Sequence, residues 1–169
     1  MPDLTLILGG ARSGKSAMAE RLMQALPPPW TYIATAEALD EEMRQRIAEH
    51  RRRRAEGWRT VEAPLALPEA IAEAPGAALV DCLTLWLSNL ILAERDIEAA
   101  TAALDLALSA RRAPTFLVAN EVGLGIVPDH ALGRVFRDAA GRLNQRLAER
   151  AKRVLFMVAG LPITVKGTP

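Results

Sequence analysis

Short apolar runs alternate along the chain with longer segments in which apolar residues recur every three or four positions. The short runs are typical of buried strands, and the longer segments are typical of helices that bury one face. Because strands that alternate with helices usually pair in parallel, this order predicts an α/β fold with a mostly parallel sheet and helices on both of its faces. The predicted strands are Leu4–Leu8, Trp30–Ala34, Arg59–Glu62, Ala77–Asp81, Thr115–Ala119, Val154–Val158 and Ile163–Lys166.

The last two predicted strands are separated by a short turn that contains Gly160-Leu161-Pro162. A connection this short predicts an antiparallel hairpin at the C-terminal edge of the sheet. Pro27-Pro28-Pro29 ends the first helix, and Asp40 is a suitable N-cap for the second. The predicted helices are Gly14–Leu26, Asp40–Arg54, Leu67–Glu73, Leu83–Glu94, Ile97–Arg111 and His130–Lys152.

The composition fits a single domain that spans residues 1–169, half of them hydrophobic. A net charge of +1 gives no general attraction to nucleic acid or to a membrane surface. Cys82 is the one cysteine, so no internal disulfide forms, which fits a reducing compartment. The first strand begins at once and no apolar run reaches the length of a membrane span. We therefore expect no signal peptide and a cytoplasmic location.

Residues Gly9 to Ser16 form a complete G-x-x-x-x-G-K-S motif between the first strand and the first helix. This context is the one that a phosphate-binding loop requires. Gly9 and Gly14 let the backbone turn its N–H groups toward a phosphate, and Lys15 reaches the β- and γ-phosphates. The Ser16 hydroxyl can ligate Mg²⁺. We expect a nucleoside triphosphate to contact Gly9, Gly10, Ala11, Arg12, Ser13, Gly14, Lys15 and Ser16.

A phosphate loop usually acts with an acidic residue that helps to hold Mg²⁺ at the end of a neighbouring strand. Asp81, at the end of the apolar run Ala77–Asp81, is the preferred candidate. Its alternative role is to cap the helix that begins at Leu83. Glu121 is the competing acidic residue, because it lies in a glycine-containing loop at the ligand-binding edge of a parallel sheet. The alternative is that this loop is an ordinary connection with no functional role.

The predicted helix Asp40–Arg54 carries an apolar stripe that ends in His50. Arginines lie within one helical turn of His50, and their charge disfavours protonation of the imidazole. A neutral imidazole is a nucleophile, and the same arginines would bind the phosphates under attack. The alternatives are a structural histidine, and an arginine run at Arg51–Arg54 that is solvated or binds nucleic acid.

The last predicted helix places several polar residues on one face, since they recur three or four positions apart. A glycine in the middle of a helix costs stability unless another group packs close to it. This face therefore indicates a subunit contact or a ligand wall, with plain solvation as the alternative. The residues concerned are Arg137, Asp138, Gly141, Asn144 and Gln145, whereas His130 receives no chemical role.

Seven groups of residues together carry a more specific signal: Gly9–Ser16; Tyr32–Thr35; Asp40–Met43; Arg46-Ile47 with His50; Trp58–Thr60 with Glu62; Asn120–Gly123 with Gly125–Pro128; and Arg137-Asp138 with Gly141, Asn144 and Gln145. In order and spacing they resemble the bifunctional adenosylcobinamide kinase/adenosylcobinamide-phosphate guanylyltransferases of cobalamin synthesis. The resemblance runs from the first predicted strand to the last. It is far more specific than a phosphate loop alone.

The resemblance implies two reactions. In the first, a hydroxyl of adenosylcobinamide attacks the γ-phosphate of ATP or GTP. In the second, the family histidine, which corresponds to His50, attacks the α-phosphate of GTP and expels pyrophosphate. The corrinoid phosphate then takes the guanylyl group, which gives adenosylcobinamide-GDP. The resemblance also implies a RecA-like P-loop sheet and assembly as a homotrimer.

The nucleotide contacts of the family correspond to a defined set of positions in this chain. One departure from the family pattern is visible, because Ala55 follows Arg54 where members commonly carry proline. The individual roles of the arginines before it are therefore open. The corresponding positions are the phosphate loop, the turn Ala34, Thr35 and Ala36, the run Arg51, Arg52, Arg53 and Arg54, and the acidic residues Glu62 and Asp81.

Two other functions are consistent with the phosphate loop alone. A simple small-molecule kinase would use the γ-phosphate and would leave His50 structural. A nucleotide-dependent nucleic-acid binder would use the arginine run, but the near-zero net charge and the few aromatic residues argue against it.

Overall fold

The computed structural model describes residues 3–37 and 57–168. In this part of the chain, seven strands form one sheet. The strands are β1 (Leu4–Gly9), β2 (Trp30–Ala34), β3 (Trp58–Glu62), β4 (Ala77–Asp81), β5 (Thr115–Asn120), β6 (Arg153–Val158) and β7 (Leu161–Lys166). The helices are α1 (Lys15–Gln24), α2 (Leu67–Glu73), α3 (Leu83–Leu92), α4 (Ile97–Ala110) and α5 (Ala131–Arg150).

The strands lie in the order β3-β2-β4-β5-β1-β6-β7. All neighbouring pairs from β3 to β6 are parallel, and β7 runs antiparallel to β6 at the edge. The mostly parallel sheet and the C-terminal antiparallel hairpin that the sequence predicts are confirmed. The predicted helix Asp40–Arg54 lies outside the described residues.

Local backbone geometry explains two of the differences between predicted and observed helix ends. Helix α3 ends at Leu92, two residues early, because Glu94 adopts a left-handed conformation with φ of 51°. Helix α5 begins at Ala131, and His130 precedes it as the N-cap. The His130 Nδ1 accepts a hydrogen bond of 3.0 Å from the Gly133 N–H. His130 therefore caps the helix, whereas the sequence placed it in the first turn.

The sheet separates two apolar layers. On one face, α1 packs its Met18 and Met23 with strand residues such as Phe116. On the other face, α2, α3, α4 and α5 cover a larger cluster around the fully buried Trp86. Among the described residues, no helix is both long and apolar enough to cross a membrane.

Arg111, which directly follows α4, forms hydrogen bonds that link the amino end of the sheet to α2. Its guanidinium donates to the Ile71 and Ala74 carbonyls at 3.0 and 2.7 Å. It also donates to the Gly76 carbonyl and, at 2.9 Å, to the Thr115 hydroxyl. Burial lowers the pKa of Arg111 from its ordinary value. All of these acceptors belong to the protein, so this arginine has a structural role.

Candidate nucleotide-binding site

The predicted phosphate loop connects the carboxyl end of β1 to the start of α1, which is the placement that the motif requires. A Cβ at Gly9 would lie 2.7 Å from the Met157 carbonyl oxygen and 2.7 Å from the Ser13 hydroxyl. Gly14 precedes α1 with a φ of 93°, a conformation that side chains rarely adopt. Both positions therefore require glycine, one for space and one for backbone conformation.

The turn of the β6–β7 hairpin supports the phosphate loop from the side. The Gly160 N–H donates to the Ser13 carbonyl at 3.0 Å. A Cβ on Gly14 would lie 3.2 Å from the Gly160 Cα, so the two glycines bring the backbones together. Sequence reasoning treated Gly160 as a turn residue and missed this contact, because nothing local to the turn indicates what it packs against.

Lys15 is buried at the start of α1 with 7% of its surface exposed. Its ammonium donates to the Gly10 carbonyl at 2.5 Å and to the Ser13 hydroxyl at 3.4 Å. Burial lowers the pKa of Lys15, although the negative charge of Asp81 acts in the opposite direction. A desolvated ammonium that bonds to its own loop is well placed to exchange those bonds for phosphate oxygens.

Asp81 ends β4 on the same side of the sheet as Lys15. The Tyr32 hydroxyl donates to its Oδ2 at 2.9 Å, which fixes the orientation of the carboxylate. Cys82 is the N-cap residue of α3, and no side-chain hydrogen bond caps that helix. The structure therefore does not support the alternative in which Asp81 is a cap. Tyr32 is a positioning residue that the sequence analysis missed.

The turn after β2 is held against the residue that follows Asp81. The buried Thr35 hydroxyl donates to the Cys82 carbonyl at 2.7 Å and accepts from the Cys82 N–H at 2.9 Å. Asn89 of α3 donates to the Thr35 carbonyl at 2.8 Å. The Thr35 side chain thus fixes the position of the turn. The predicted nucleotide contact by Ala34, Thr35 and Ala36 stays a prediction.

Burial makes Cys82 a neutral neighbour of this site. Its thiol is buried, and burial raises its pKa to about 11, with a further contribution from the charge of Asp81. The thiol is therefore protonated at neutral pH and is a poor nucleophile.

The loop after β5 reaches the same edge of the sheet. The Glu121 N–H donates to the Gly9 carbonyl at 3.0 Å, so this loop starts directly beside the phosphate loop. The Glu121 carboxylate accepts from the Gly123 N–H at 2.9 Å. Both acidic candidates therefore lie at the carboxyl edge, and Asp81 is the one whose charge acts on Lys15.

The remaining candidates fall into two groups. Glu62 ends β3 and pairs with Ala34, beside the turn after β2. His50 and the run Arg51, Arg52, Arg53 and Arg54 lie outside the described residues. The roles assigned to all of them therefore stay predictions.

The polar face of α5 divides into two parts. Arg137 and Asp138 form an ion pair of 3.0 Å at the surface. Asn144 is buried, and its amide donates to the Asn120 carbonyl at 3.4 Å. A Cβ on Gly141 would meet no atom of the described residues within 4 Å. Asn144 thus faces the candidate site, and the surface around Gly141 is open to another molecule.

Comparison with known proteins decides the family. Residues 5–165 match the family described as cobinamide kinase / cobinamide phosphate guanyltransferase. The chain belongs to this family. The family resemblance inferred from the motifs is therefore confirmed, and the match covers nearly the whole chain.

Two curated relatives agree with the family match. The bifunctional adenosylcobalamin biosynthesis protein CobP of Pseudomonas aeruginosa is 52% identical over 169 residues, which cover 97% of this chain and 98% of the relative. The bifunctional adenosylcobalamin biosynthesis protein CobU of Salmonella typhimurium is 41% identical over an alignment of 181 residues, which covers 96% of this chain and 99% of the relative.

Solved structures with little sequence identity show the same fold. A KaiC-like protein of Pyrococcus horikoshii OT3 superposes with a TM-score of 0.53 at 12% identity and covers 91% of this chain and 71% of that one. The RadB recombinase superposes with a TM-score of 0.50 at 16% identity, and the match covers 90% of this chain and 73% of RadB. The expected RecA-like P-loop architecture is therefore confirmed.

Proposed function

We propose that this chain phosphorylates adenosylcobinamide with ATP or GTP and then converts the product to adenosylcobinamide-GDP with GTP. One observation carries the proposal. A complete phosphate loop, with Lys15 buried and Asp81 oriented beside it, lies in a chain of the cobinamide kinase / cobinamide phosphate guanyltransferase family. The two named curated relatives are both described as bifunctional adenosylcobalamin biosynthesis proteins.

In the kinase step, the hydroxyl oxygen of the corrinoid side chain forms a bond to the γ-phosphorus. The bond from that phosphorus to the β,γ-bridging oxygen breaks, the nucleoside diphosphate leaves, and the hydroxyl proton passes to water. Lys15 and the N-terminal end of α1 stabilise the charge on the transferred group. The backbone between Gly9 and Ser16 holds the β-phosphate.

Ser16 and Asp81 would hold Mg²⁺ at this site. Ser16 lies in the first turn of α1, and the Asp81 carboxylate is oriented by Tyr32. A carboxylate and a hydroxyl are oxygen ligands of the kind that magnesium prefers in proteins. Bound magnesium would neutralise charge on the β- and γ-phosphates.

In the transferase step, an imidazole nitrogen of His50 forms a bond to the α-phosphorus of GTP, and pyrophosphate leaves. A phosphate oxygen of the corrinoid then displaces the histidine and takes the guanylyl group. We assign the turn Ala34 to Ala36, the run Arg51 to Arg54 and Glu62 to contacts with the nucleotide during this step.

GTP labelled at the α-phosphate tests the covalent step. We expect an acid-labile, base-stable label on the wild-type protein, as a phosphoramidate gives, and no label on His50→Ala. The chain has two histidines, so His130→Asn is a matched control. It replaces the N-cap of α5 by another good cap and should keep the label. An unlabelled wild type, or undiminished label on His50→Ala, would contradict the histidine role.

The loop from Asn120 to Pro128 is proposed as part of the corrinoid-binding wall. It begins beside the phosphate loop and exposes large apolar side chains, Leu124 at 80% and Ile126 at 98%. Exposed apolar surface of this kind usually binds a ligand or a protein. Glu121→Ala is expected to weaken corrinoid binding. Unchanged binding and turnover would remove the loop from the corrinoid site.

We also propose that the enzyme is a homotrimer and works in the cytoplasm. All six residues of β7 are exposed, including the apolar Leu161, Ile163 and Val165, so this edge has apolar surface to bury. The cytoplasm supplies ATP and GTP and keeps the Cys82 thiol reduced. Light scattering should give three times the 18.3 kDa mass of one chain. A monomer at working concentration would contradict the trimer.

A further inference from the structure

The loop after β5 (residues 121–129) carries apolar side chains that the fold leaves without support. Leu124, Ile126 and Val127 are 80, 98 and 57% exposed. In the described part of the chain, no hydrogen bond involves residues 124–127. A Cβ on Gly125 would meet no atom of the described residues within 4 Å. The position of these apolar side chains therefore depends on how the two ends of the loop are held.

The start of the loop is held beside the phosphate loop. The Glu121 N–H donates to the Gly9 carbonyl at 3.0 Å, and the Glu121 carboxylate accepts from the Gly123 N–H at 2.9 Å. Val122 and Phe136 of α5 pack against the same small apolar cluster. This end is therefore joined both to the candidate nucleotide site and to α5.

The end of the loop is held by Arg134, in the first turn of α5. The Arg134 Nη1 donates to the Pro128 carbonyl at 3.0 Å and to the Asp129 carbonyl at 2.8 Å. The side chain is exposed, and it forms no ion pair with a carboxylate of the described residues. Its guanidinium is therefore used to bond the main chain of the loop.

Close packing at the first turn of α5 adds to this hold. A Cβ on Gly133 would lie 2.6 Å from the His130 Cε1 and 2.8 Å from the Pro128 Cβ. Glycine at position 133 thus lets Pro128 and the His130 ring lie against the helix. There the Gly133 N–H donates to the His130 Nδ1 at 3.0 Å. Packing and hydrogen bonds therefore hold residues 128–130 together.

A loop that is held at both ends presents its apolar side chains in few conformations. Binding of a ligand to such a loop loses little conformational entropy, which favours affinity. If the end at Pro128 were released, the ligand would have to order the loop as it bound. This cost would affect the ligand that contacts residues 124–127. It would spare the nucleotide, which the proposed function places at the other end, beside Gly9.

We propose that Arg134 is a positioning residue for the corrinoid substrate. It holds the end of the loop so that Leu124, Ile126 and Val127 form an ordered apolar surface for the corrinoid. This inference rests on the proposed function and on the place that it gives to the corrinoid. Arg134 acts through the loop and touches neither the nucleotide nor the reacting atoms. It therefore sets the affinity for the corrinoid and leaves the chemical steps unchanged.

Kinase kinetics of the full-length enzyme test this assignment. Arg134→Met removes both hydrogen bonds to the loop. The KM for adenosylcobinamide should rise about tenfold, the size expected for two hydrogen bonds of ordinary net strength. The kcat, the KM for GTP and the covalent α-label on the protein should stay within about twofold, because the lost interaction affects binding of one substrate only.

Three further variants separate positioning from charge and from helix stability. Arg134→Lys keeps the charge and has three N–H donors, so its KM for the corrinoid should lie within about threefold of wild type. Gly133→Ala keeps Arg134, but its Cβ displaces Pro128, so it should raise the same KM. A role in helix stability alone predicts no loss in Gly133→Ala, because alanine favours a helix more than glycine does. Arg142→Met, at an exposed arginine of the same helix, is the matched control and should change nothing.

Thermolysin, which cleaves before large apolar residues, gives a readout that does not need catalysis. Cleavage within residues 124–127 should be about tenfold faster in Arg134→Met than in the wild type, because the released loop opens more often. Unchanged cleavage would overturn the inference. Faster cleavage with a wild-type KM for the corrinoid would overturn it too, because the loop would then have no part in corrinoid binding.

The remaining outcomes distinguish a general effect from a local one. An equal rise in the KM for GTP would overturn the inference, because it indicates damage to the whole site. If Arg134→Met folds poorly in a thermal melt, Gly133→Ala tests the same hold on Pro128 by cleavage and by KM. A wild-type enzyme that does not phosphorylate adenosylcobinamide would instead contradict the proposed function, whereas the cleavage rates report the hold of Arg134 on the loop in either case.

Discussion

Two basic side chains at opposite ends of the sheet show how one fold uses burial in two ways. Lys15 lies at the carboxyl end of β1, and Arg111 lies at the amino end of β5. Burial lowers the pKa of both side chains. Their partners differ. Arg111 donates to four acceptors of the protein, whereas Lys15 bonds to two atoms of its own loop.

This difference distinguishes a structural cation, Arg111, from the cation that we propose binds a triphosphate, Lys15. The donors of Arg111 are used by the ends of α2 and β5, so its burial is compensated within the fold. Among the described residues, no carboxylate forms an ion pair with Lys15. A buried ammonium with so few partners gains more from a triphosphate than a solvated one does. We therefore infer that the carboxyl edge of the parallel sheet serves nucleotide binding, and that the contacts at its amino edge serve stability.

Removal of the lysine should give the largest effect. Lys15→Ala is expected to weaken GTP binding by about 100-fold, since a charge-assisted hydrogen bond contributes about 1.5–3 kcal/mol. The melting temperature of the ligand-free protein should stay the same or rise, because a desolvated charge is lost. Calorimetric titration and a thermal melt measure the two effects. Lys152→Ala, at a largely exposed lysine, is the matched control. Equal GTP affinity in Lys15→Ala and the wild type would remove the phosphate loop from the mechanism.

Removal of the Arg111 guanidinium should have the opposite effects: the protein should lose folding stability and keep its affinity for GTP. Arg111→Met leaves carbonyls of Ile71, Ala74 and Gly76 without their donor. It should lower the free energy of unfolding by on the order of 3 kcal/mol. GTP affinity at a temperature where the variant is folded should not change. Chemical denaturation gives the first value, and Arg112→Met, at the exposed neighbouring residue, is the control. If Arg111→Met were as stable as the wild type but bound GTP poorly, Arg111 would have a role in binding and its structural assignment would be wrong.

A substitution with a smaller expected effect tests whether the orientation of the Asp81 carboxylate matters for the kinase reaction. Tyr32→Phe removes the hydroxyl that donates to Asp81 and keeps the ring. The kinase rate at limiting Mg²⁺ should fall about fivefold, as expected for one hydrogen bond worth about 1 kcal/mol. Saturating Mg²⁺ should restore most of the rate. A loss of rate that is independent of Mg²⁺ would show that Tyr32 acts on something other than the carboxylate that we propose as a magnesium ligand.

The elements of this fold could be predicted from sequence because each has a local signal. Residues 77–81 form a short apolar run that ends in an aspartate, and β4 occupies that range in the structure. Parallel pairing then brings the carboxyl ends of β1 and β4 to one edge, so the proximity of Asp81 to Lys15 also follows from the pattern.

The contacts that orient the site could not be predicted in the same way. Tyr32 and Asp81 are 49 residues apart, and Thr35 and Cys82 are 47 apart. Their hydrogen bonds depend on which strands become neighbours and on the register between them. The strand order places β2 beside β4, and nothing local to either strand specifies that order. The four acceptors of Arg111 depend on long-range packing for the same reason.

A crystal structure with a non-hydrolysable GTP analogue and Mg²⁺ tests the central claim most directly. We predict that the β- and γ-phosphates lie within hydrogen-bonding distance of the Lys15 ammonium, which then leaves the Gly10 carbonyl. Arg111 should keep its four protein acceptors. An analogue bound elsewhere on the chain, with Lys15 still bonded to Gly10, would contradict the account.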